Sequence, residues 1–272
     1  MAKIGLIAGD GNLPLLFAQG AKSKGINLVG ITVTTKAKKQ ELQSLLDVCH
    51  HIEVGQLSKI INILLDEGVN EVIMLGKVSK ELLYQGVELD DRFKRLIYSL
   101  KEKNDDAIML AIVKELMDSG IKVVDQTQLI ERLLPQAGTL TNTKVEEDIL
   151  DDMRYGFKMA KEIGGLDIGQ TVVVKDGAVM AVEAIEGTDQ AILRGGQLGA
   201  NEVVVAKVSK PNQDLRFDIP TVGLDTLENL INVEARGLVI EAGKTFVVNQ
   251  EEFIKRADKH GIAVVAMSSI EN

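Results

Sequence analysis

The spacing of the aliphatic runs constrains this chain more than any other feature. KIGLIAG (Lys3–Gly9), NLVGITV (Asn27–Val33), EVIMLG (Glu71–Gly76) and IKVVD (Ile121–Asp125) are short, rich in β-branched residues and read as strands. Between them lie LPLLFAQGAKSKG, LSKIINILLDEG and DDAIMLAIVKELMDSG, which read as helices. Strand and helix in turn predict a mostly parallel sheet with helices on both faces, because parallel strands need a crossover. The order of the strands is not legible in this pattern.

LLPQAGTLTN (Leu133–Asn142) breaks the rhythm with Pro135, Gly138 and polar residues. It divides the chain into an N-terminal domain over 1–134, a linker over 135–145 and a C-terminal domain over 146–272. The second domain opens with a helix in which Ile149, Met153, Phe157 and Ala160 share one side. QTVVVKDGAVMAVEA then reads as a hairpin turning at Asp176-Gly177. EVVVAKV, TLENLINVEARGLVIEAG and EEFIKRADKHGIAVVAM continue the domain as mixed α/β units. The expected fold is thus α/β in two domains, a Rossmann-like parallel sheet followed by a distinct mixed one.

With 272 residues and no tryptophan, the chain is suited to aliphatic α/β cores. Its formal charge of −9 argues against general affinity for nucleic-acid backbone. The single cysteine, Cys49, excludes an internal disulfide framework and fits a buried structural thiol. No apolar run is long enough to span a bilayer, and the N-terminus enters a strand without a cleavage signal, so a cytoplasmic location is expected.

Gly9-Asp10-Gly11-Asn12-Leu13-Pro14 makes a sharp turn from strand to helix, with Pro14 suited to an early helical position. Backbone N–H groups at such a helix start can receive a phosphate. The loop nevertheless lacks the full dinucleotide fingerprint as well as the lysine and hydroxyl of a P-loop, and Asp10 would repel phosphate. A structural turn and a phosphate contact both fit it.

A second cluster is acidic: AVEAIEGTDQAI (Ala181–Ile192) brings Glu183, Glu186 and Asp189 close in sequence. Thr188 or Asp189 is placed to cap the helix that follows. Asp105 and Asp106 open another apolar helix, where Asn104 or Asp105 can cap and first-turn acids suit the dipole. In RFDIPTVG (Arg216–Gly223), Pro220 holds Ile219 extended, so Asp218 belongs to a fixed loop or strand end. Arg216 offers a planar donor fork to a phosphate or to an ordinary salt bridge. His50 and His51 are adjacent and would point apart on a strand, and His260 precedes Gly261 at a helix end, so the histidines make no metal motif. No G-x-S-x-G element is present. LPLLF and the apolar side of ILDDMRYGFKMAKEI fit either ordinary core or the lining of a lipid slot.

GDGNLP, KNDDAI (Lys103–Ile108), AVEAIEGTDQAI and RFDIPTVG, in that order along the chain, resemble the UDP-2,3-diacylglucosamine pyrophosphatase family of the LpxI type. The resemblance covers nearly the whole chain. It implies hydrolysis of UDP-2,3-diacylglucosamine to UMP and 2,3-diacylglucosamine 1-phosphate, a step of lipid A synthesis. It implies dependence on Mg2+ or another divalent cation, with the substrate bound between two domains. Peripheral contact with the cytoplasmic face of the inner membrane and a homodimer follow from the same likeness and from the frequency of twofold assemblies. The family's catalytic aspartate falls on Asp218. Asp189 joins it as a catalytic candidate, and Asp218, Asp189 and Glu186 are the candidate metal ligands. Gly9, Asp10, Gly11, Asn12, Asp105, Asp106, Thr188 and Arg216 are the expected substrate contacts. Two alternatives stand beside this reading: a noncatalytic binder of nucleotide-sugar or lipid, and a hydrolase of another nucleotide diphospho-sugar.

Overall fold

A computed structural model describes residues 3–34, 39–78, 88–101 and 105–268, with backbone alone at Lys39 and Asp105. The chain forms two compact units: Met1–Ile130 with Leu215–Phe217, and Glu131–Asp214 with Asp218–Asn272.

The first unit contains β1 (Lys3–Ala8), α1 (Leu13–Ser23), β2 (Asn27–Thr32), α2 (Lys39–Gln43), β3 (Val48–His51), α3 (Leu57–Asp66), β4 (Glu71–Leu75), α4 (Asp91–Ser99), α5 (Asp105–Asp118) and β5 (Lys122–Val123). Its five strands run parallel in the order β3-β2-β1-β4-β5. The parallel sheet predicted by the alternating pattern is therefore present. Val29, Ile31, Val72 and Met74 pack with Ile60, Ile61 and Leu64 of α3 and with Val113 and Leu116 of α5. Val69 and Ile121 complete that packing, and Phe217 joins it from the returning segment.

A short 3-10 turn at Glu131–Leu133 starts the second unit. There follow β6 (Gly138–Thr139), α6 (Glu147–Gly165), β7 (Thr171–Lys175), β8 (Ala178–Val182), α7 (Thr188–Leu198), β9 (Val204–Lys207) and β10 (Thr221–Val222). The unit closes with α8 (Leu224–Asn232), β11 (Gly237–Glu241), β12 (Phe246–Val247), α9 (Gln250–Lys259) and β13 (Ala263–Met267). Six strands form one mixed sheet in the order β6-β13-β11-β9-β7-β8. β9, β11 and β13 are parallel, whereas β7 runs against β9 and β8 against β7. Asp176-Gly177 turns the β7–β8 hairpin, as its sequence predicts, and its N–H groups donate to the Asp152 carboxylate.

The stretch read as a linker has structure of its own. β6 pairs antiparallel with β13, and the buried Thr141 hydroxyl accepts from Val264 N at 2.9 Å. Asp258 of α9 then accepts from the N–H groups of Asn142 and Thr143 and from the Thr143 hydroxyl.

Ile149, Met153, Phe157 and Ala160 of α6 are buried against Val172, Val174, Val204, Ala206 and Val239. On the opposite face, Val173, Val205, Leu238, Ile240 and Val264 pack with Ile192, Leu227, Leu230 and Phe253. Helices thus cover both faces of the second sheet. The apolar side of α6 is core, and so are Pro14 and Phe17 of LPLLF. Among the described residues, no helix is long and apolar enough to cross a membrane.

Candidate functional site

Sheet register decides which side chains meet in the second unit. β8 and β9 end, and β7 begins, on the same edge of the sheet, because Thr171 pairs with Lys207 and Val172 with Val182. Gln170, Thr171, Glu183 and Lys207 are therefore neighbours despite their separation in sequence. β11 ends there too, at Glu241. The carboxyl ends of parallel strands are where open α/β sheets commonly place ligands.

Asp218 lies in the loop between β9 and β10, at the position expected of a fixed loop residue. Its Oδ2 accepts from Gln213 Nε2 at 2.6 Å and from Gln170 Nε2 at 3.3 Å. The Lys210 ammonium stands 3.7 Å from the same oxygen and donates to Asp167 at 2.6 Å. Two amides and one cation thus hold a half-buried carboxylate. Held this way, Asp218 can take a proton from water or bind a cation.

Gln170 ties this carboxylate to the acidic run. Its backbone N–H donates to Glu183 Oε2 at 3.2 Å. The Thr188 hydroxyl donates to Glu183 Oε1 at 2.9 Å and accepts from Lys207 Nζ at 2.6 Å. Thr188 does not cap α7 as expected. Gly187 is the cap residue, with no side-chain cap bond, and the Thr188 hydroxyl is drawn to the nearer charged group.

Beside this chain sits a second polar knot. Glu241 is fully buried and accepts from Lys161 Nζ at 2.9 Å, from Ser209 N at 3.0 Å and from Ser209 Oγ at 2.6 Å. Lys244 donates to its other oxygen at 3.0 Å. A buried carboxylate is tolerable only with such partners. The knot fixes Ser209, and with it the backbone that carries Lys210.

The three candidate metal ligands do not converge. Glu186 accepts from Arg194 Nη2 and from Ala184 N, and hydrogen bonding from its own N–H and from Arg194 holds its carboxyl below the usual range. Asp189 occupies the first turn of α7. Among the described residues, no three His, Cys, Asp or Glu side chains form a group able to hold a metal. Such a donor set does not fit an all-protein cage. It is compatible with a single-carboxylate anchor for Mg2+, an ion that keeps several waters and takes its remaining oxygens from substrate phosphates.

In the first unit, the glycine loop is shaped by backbone contact. Asp10 N donates to Lys77 O and Lys77 N to Asp10 O, each at 2.8 Å. A Cβ on Gly9 would lie 2.7 Å from Lys77 O, and one on Gly76 2.7 Å from Asp10 O. Gly9 and Gly76 are thus required by the close approach of two chain segments. The Asp10 carboxylate accepts from Thr34 Oγ1 at 2.5 Å. Gly11 has a φ of +102°, and Asn12 precedes α1 without a side-chain cap bond.

Arg216 belongs to the first unit, where its guanidinium donates to the Met117 sulfur at 3.7 Å. Asp106 takes a first-turn position in α5; Lys103 and Asn104 lie outside the described residues, as does the Asp105 side chain. His50 bonds Glu67 and His51 bonds Thr32, in different directions as strand alternation requires. Cys49 is half-buried on β3, less enclosed than expected, and burial still pushes its thiol pKa up.

Residues 3–133 match the description of the LpxI N-terminal domain and residues 136–265 that of the LpxI C-terminal domain. The chain belongs to the LpxI family. A curated member, the UDP-2,3-diacylglucosamine pyrophosphatase LpxI of Caulobacter vibrioides, is 32% identical over 284 residues, covering 100% of this chain and 99% of its own. The family's two domains thus correspond to the parallel and the mixed sheet. Among solved structures, the biotin carboxylase domain of Hydrogenobacter thermophilus 2-oxoglutarate carboxylase covers 65% of this chain and 35% of its own, at 14% identity and a TM-score of 0.27. N5-carboxyaminoimidazole ribonucleotide synthetase from Thermotoga maritima covers 70% and 43%, at 16% identity and a TM-score of 0.27. Likenesses this distant say nothing about the LpxI site.

Sequence reasoning singled out Asp218, Glu183 and Thr188, which the structure links through Gln170, and Glu186, which turns to Arg194 instead; it did not single out Gln170, Lys207, Lys210, Gln213 or Glu241. Three of these border strands: Gln170 precedes β7, Lys207 ends β9 and Glu241 ends β11. A polar residue where an aliphatic run begins or ends was the signal available.

Proposed function

We propose that this chain hydrolyses the pyrophosphate bond of UDP-2,3-diacylglucosamine, releasing UMP and 2,3-diacylglucosamine 1-phosphate in lipid A synthesis. The observation that carries the proposal is the end-to-end match to the Caulobacter enzyme, with both domains in order. The arrangement around Asp218 supports it: a carboxylate fixed in place by two amides, with the Lys210 ammonium beside it and Lys207 in the adjoining network for an anionic substrate.

Divalent-cation dependence is part of the proposal, with Mg2+ first. The cation would neutralise pyrophosphate oxygens; Asp218 is the protein ligand that the donor set supports best. Peripheral membrane contact and a homodimer belong to the same reading, since a diacylated substrate must be drawn from a lipid surface.

The deciding experiment incubates purified full-length protein with authentic substrate and Mg2+ and measures UMP and lipid monophosphate. Stoichiometric release that chelator abolishes is expected. Intact substrate under every divalent-metal condition would overturn the proposal and favour a binding protein. Equal efficiency on unacylated UDP-sugar would remove the lipid-specific part.

A further inference from the structure

Gln170 stands where the two halves of the second-unit network join. Its backbone N–H is held by Glu183, which Thr188 and Lys207 fix in turn, and its side-chain amide reaches Asp218. We propose that Gln170 is a positioning residue that orients the Asp218 carboxylate for pyrophosphate hydrolysis. The inference rests on the activity proposed above.

The two ends of its side-chain amide carry it together. The first point is the orientation of the amide. Asp218 Oδ2 is an acceptor, so only the NH2 end of Gln170 can face it; a flipped amide would set oxygen against oxygen. The second is what that orientation leaves behind. Gln170 Oε1 is shielded from solvent and has no hydrogen-bond partner among the described residues. A buried acceptor without a partner is destabilising, and native structures hold few of them. A residue kept only for packing would be better served by an apolar side chain of similar length. Gln170 instead spends its single well-placed donor group on Asp218.

The geometry also explains the division of labour between the two amides. Gln213 is five residues from Asp218 on the same loop and makes the shorter bond. Gln170 precedes β7, and its N–H is bonded to Glu183 just after β8. Gln213 therefore moves with the loop, whereas Gln170 references the carboxylate to the sheet.

The test uses Gln170→Met and Gln170→Glu in the full chain, assayed for UMP release with Mg2+. Gln170→Met removes both the donor and the orphaned oxygen at nearly constant volume. Its kcat should fall about 10-fold with KM within about 2-fold, since orientation acts on the reacting geometry. Its melting temperature should equal or exceed the parent's. Gln170→Glu sets a second carboxylate against Asp218 and should cost about 100-fold in kcat. Crystal structures of parent and Gln170→Met supply a readout that needs no activity: one Asp218 rotamer in the parent, more than one in the variant. Parent-like kcat in both variants, a change in KM alone, a fall in melting temperature matching the loss of rate, or an unmoved Asp218 carboxylate in Gln170→Met would each overturn the proposal. If the parent itself releases no UMP, the hydrolase reading fails, while the crystallographic comparison still decides whether Gln170 orients Asp218.

Discussion

The two units gather the carboxyl ends of parallel strands in opposite ways. In the first, the exits of β1 and β4 are tied by backbone: Gly9 and Gly76 bring the segments together, and Asp10 pairs with Lys77. In the second, the exits of β8 and β9 meet the start of β7 mainly through side chains, with a lysine, carboxylates, an amide and a hydroxyl linked in series, and the exit of β11 holds a separate knot around Glu241. Strand ends alone therefore do not mark the candidate site. What distinguishes the second edge is a set of titratable groups held by side-chain partners. The glycine loop, the more familiar-looking motif, is the one whose glycines are explained by packing.

The largest effect is expected at Asp218. Asp218→Ala and Asp218→Asn should each lower single-turnover UMP release at saturating substrate by at least about 100-fold while circular dichroism stays unchanged. Near-parent rates would remove the chemistry from the second edge and end the contrast between the units.

Next comes Glu241. Glu241→Ala leaves Lys161 and the Ser209 N–H without their buried acceptor and should cost about 3 kcal/mol in urea-induced unfolding. A change below the error of the measurement would mean that the knot is not what fixes the loop bearing Lys210.

Gly76→Ala should also destabilise, by about 1–3 kcal/mol, because the residue holds a φ of +91° with a backbone oxygen against its would-be Cβ. Differential scanning calorimetry with and without UMP checks this. If the melting temperature holds and the stabilisation by UMP disappears, the loop is a ligand site and the contrast between the two edges fails.

The smallest effect is one in which the units should agree. Asp90 of the first unit accepts from the N–H groups of Phe93 and Ser58; Asp258 of the second accepts from Thr143 and Asn142. Burial pushes each carboxyl pKa up, but these hydrogen bonds more than offset it and leave both below the usual value. A lowered folded pKa gives stability that is fully present above the unfolded value, about 3.9, and lost as pH falls through the folded one. Asp90→Asn and Asp258→Asn should each show a shallower acid-side decline in melting temperature below about pH 4. Parent-like slopes in both would count against the hydrogen bonds as the cause.

Fold was legible where periodicity is a local property. β1, β2, β4 and β5, the Asp176-Gly177 turn and the apolar face of α6 follow from residue spacing, and the structure contains them, whereas the short edge strand β3 was not among the aliphatic runs. The order β3-β2-β1-β4-β5 was not legible, since helix and strand patterns do not encode which neighbour a strand joins. Asp218 was singled out through the matched segment around it. Gln170 and Gln213 were not, because an amide carries no motif and acquires a role only when sheet register sets it beside a carboxylate. The acidic run misled in a related way: closeness in sequence placed Glu183, Glu186 and Asp189 together, whereas Glu183 joins the site network and Glu186 turns to Arg194.

Two glycines seat the helix that follows that run. A Cβ on Gly195 would fall 2.6 Å from Val173, and one on Gly196 2.3 Å from Val233, so α7 is seated directly on its neighbours. Seven residues separate Gly195 from Thr188, about 10 Å of helix axis. The seat and the hydroxyl that steadies Glu183 are thus opposite ends of one rigid rod. Any side chain added at the seat must lift or tilt the rod, and the displacement is felt where Thr188 meets Glu183. A methyl group added at the seat thus acts at a distance, on a carboxylate that it never touches.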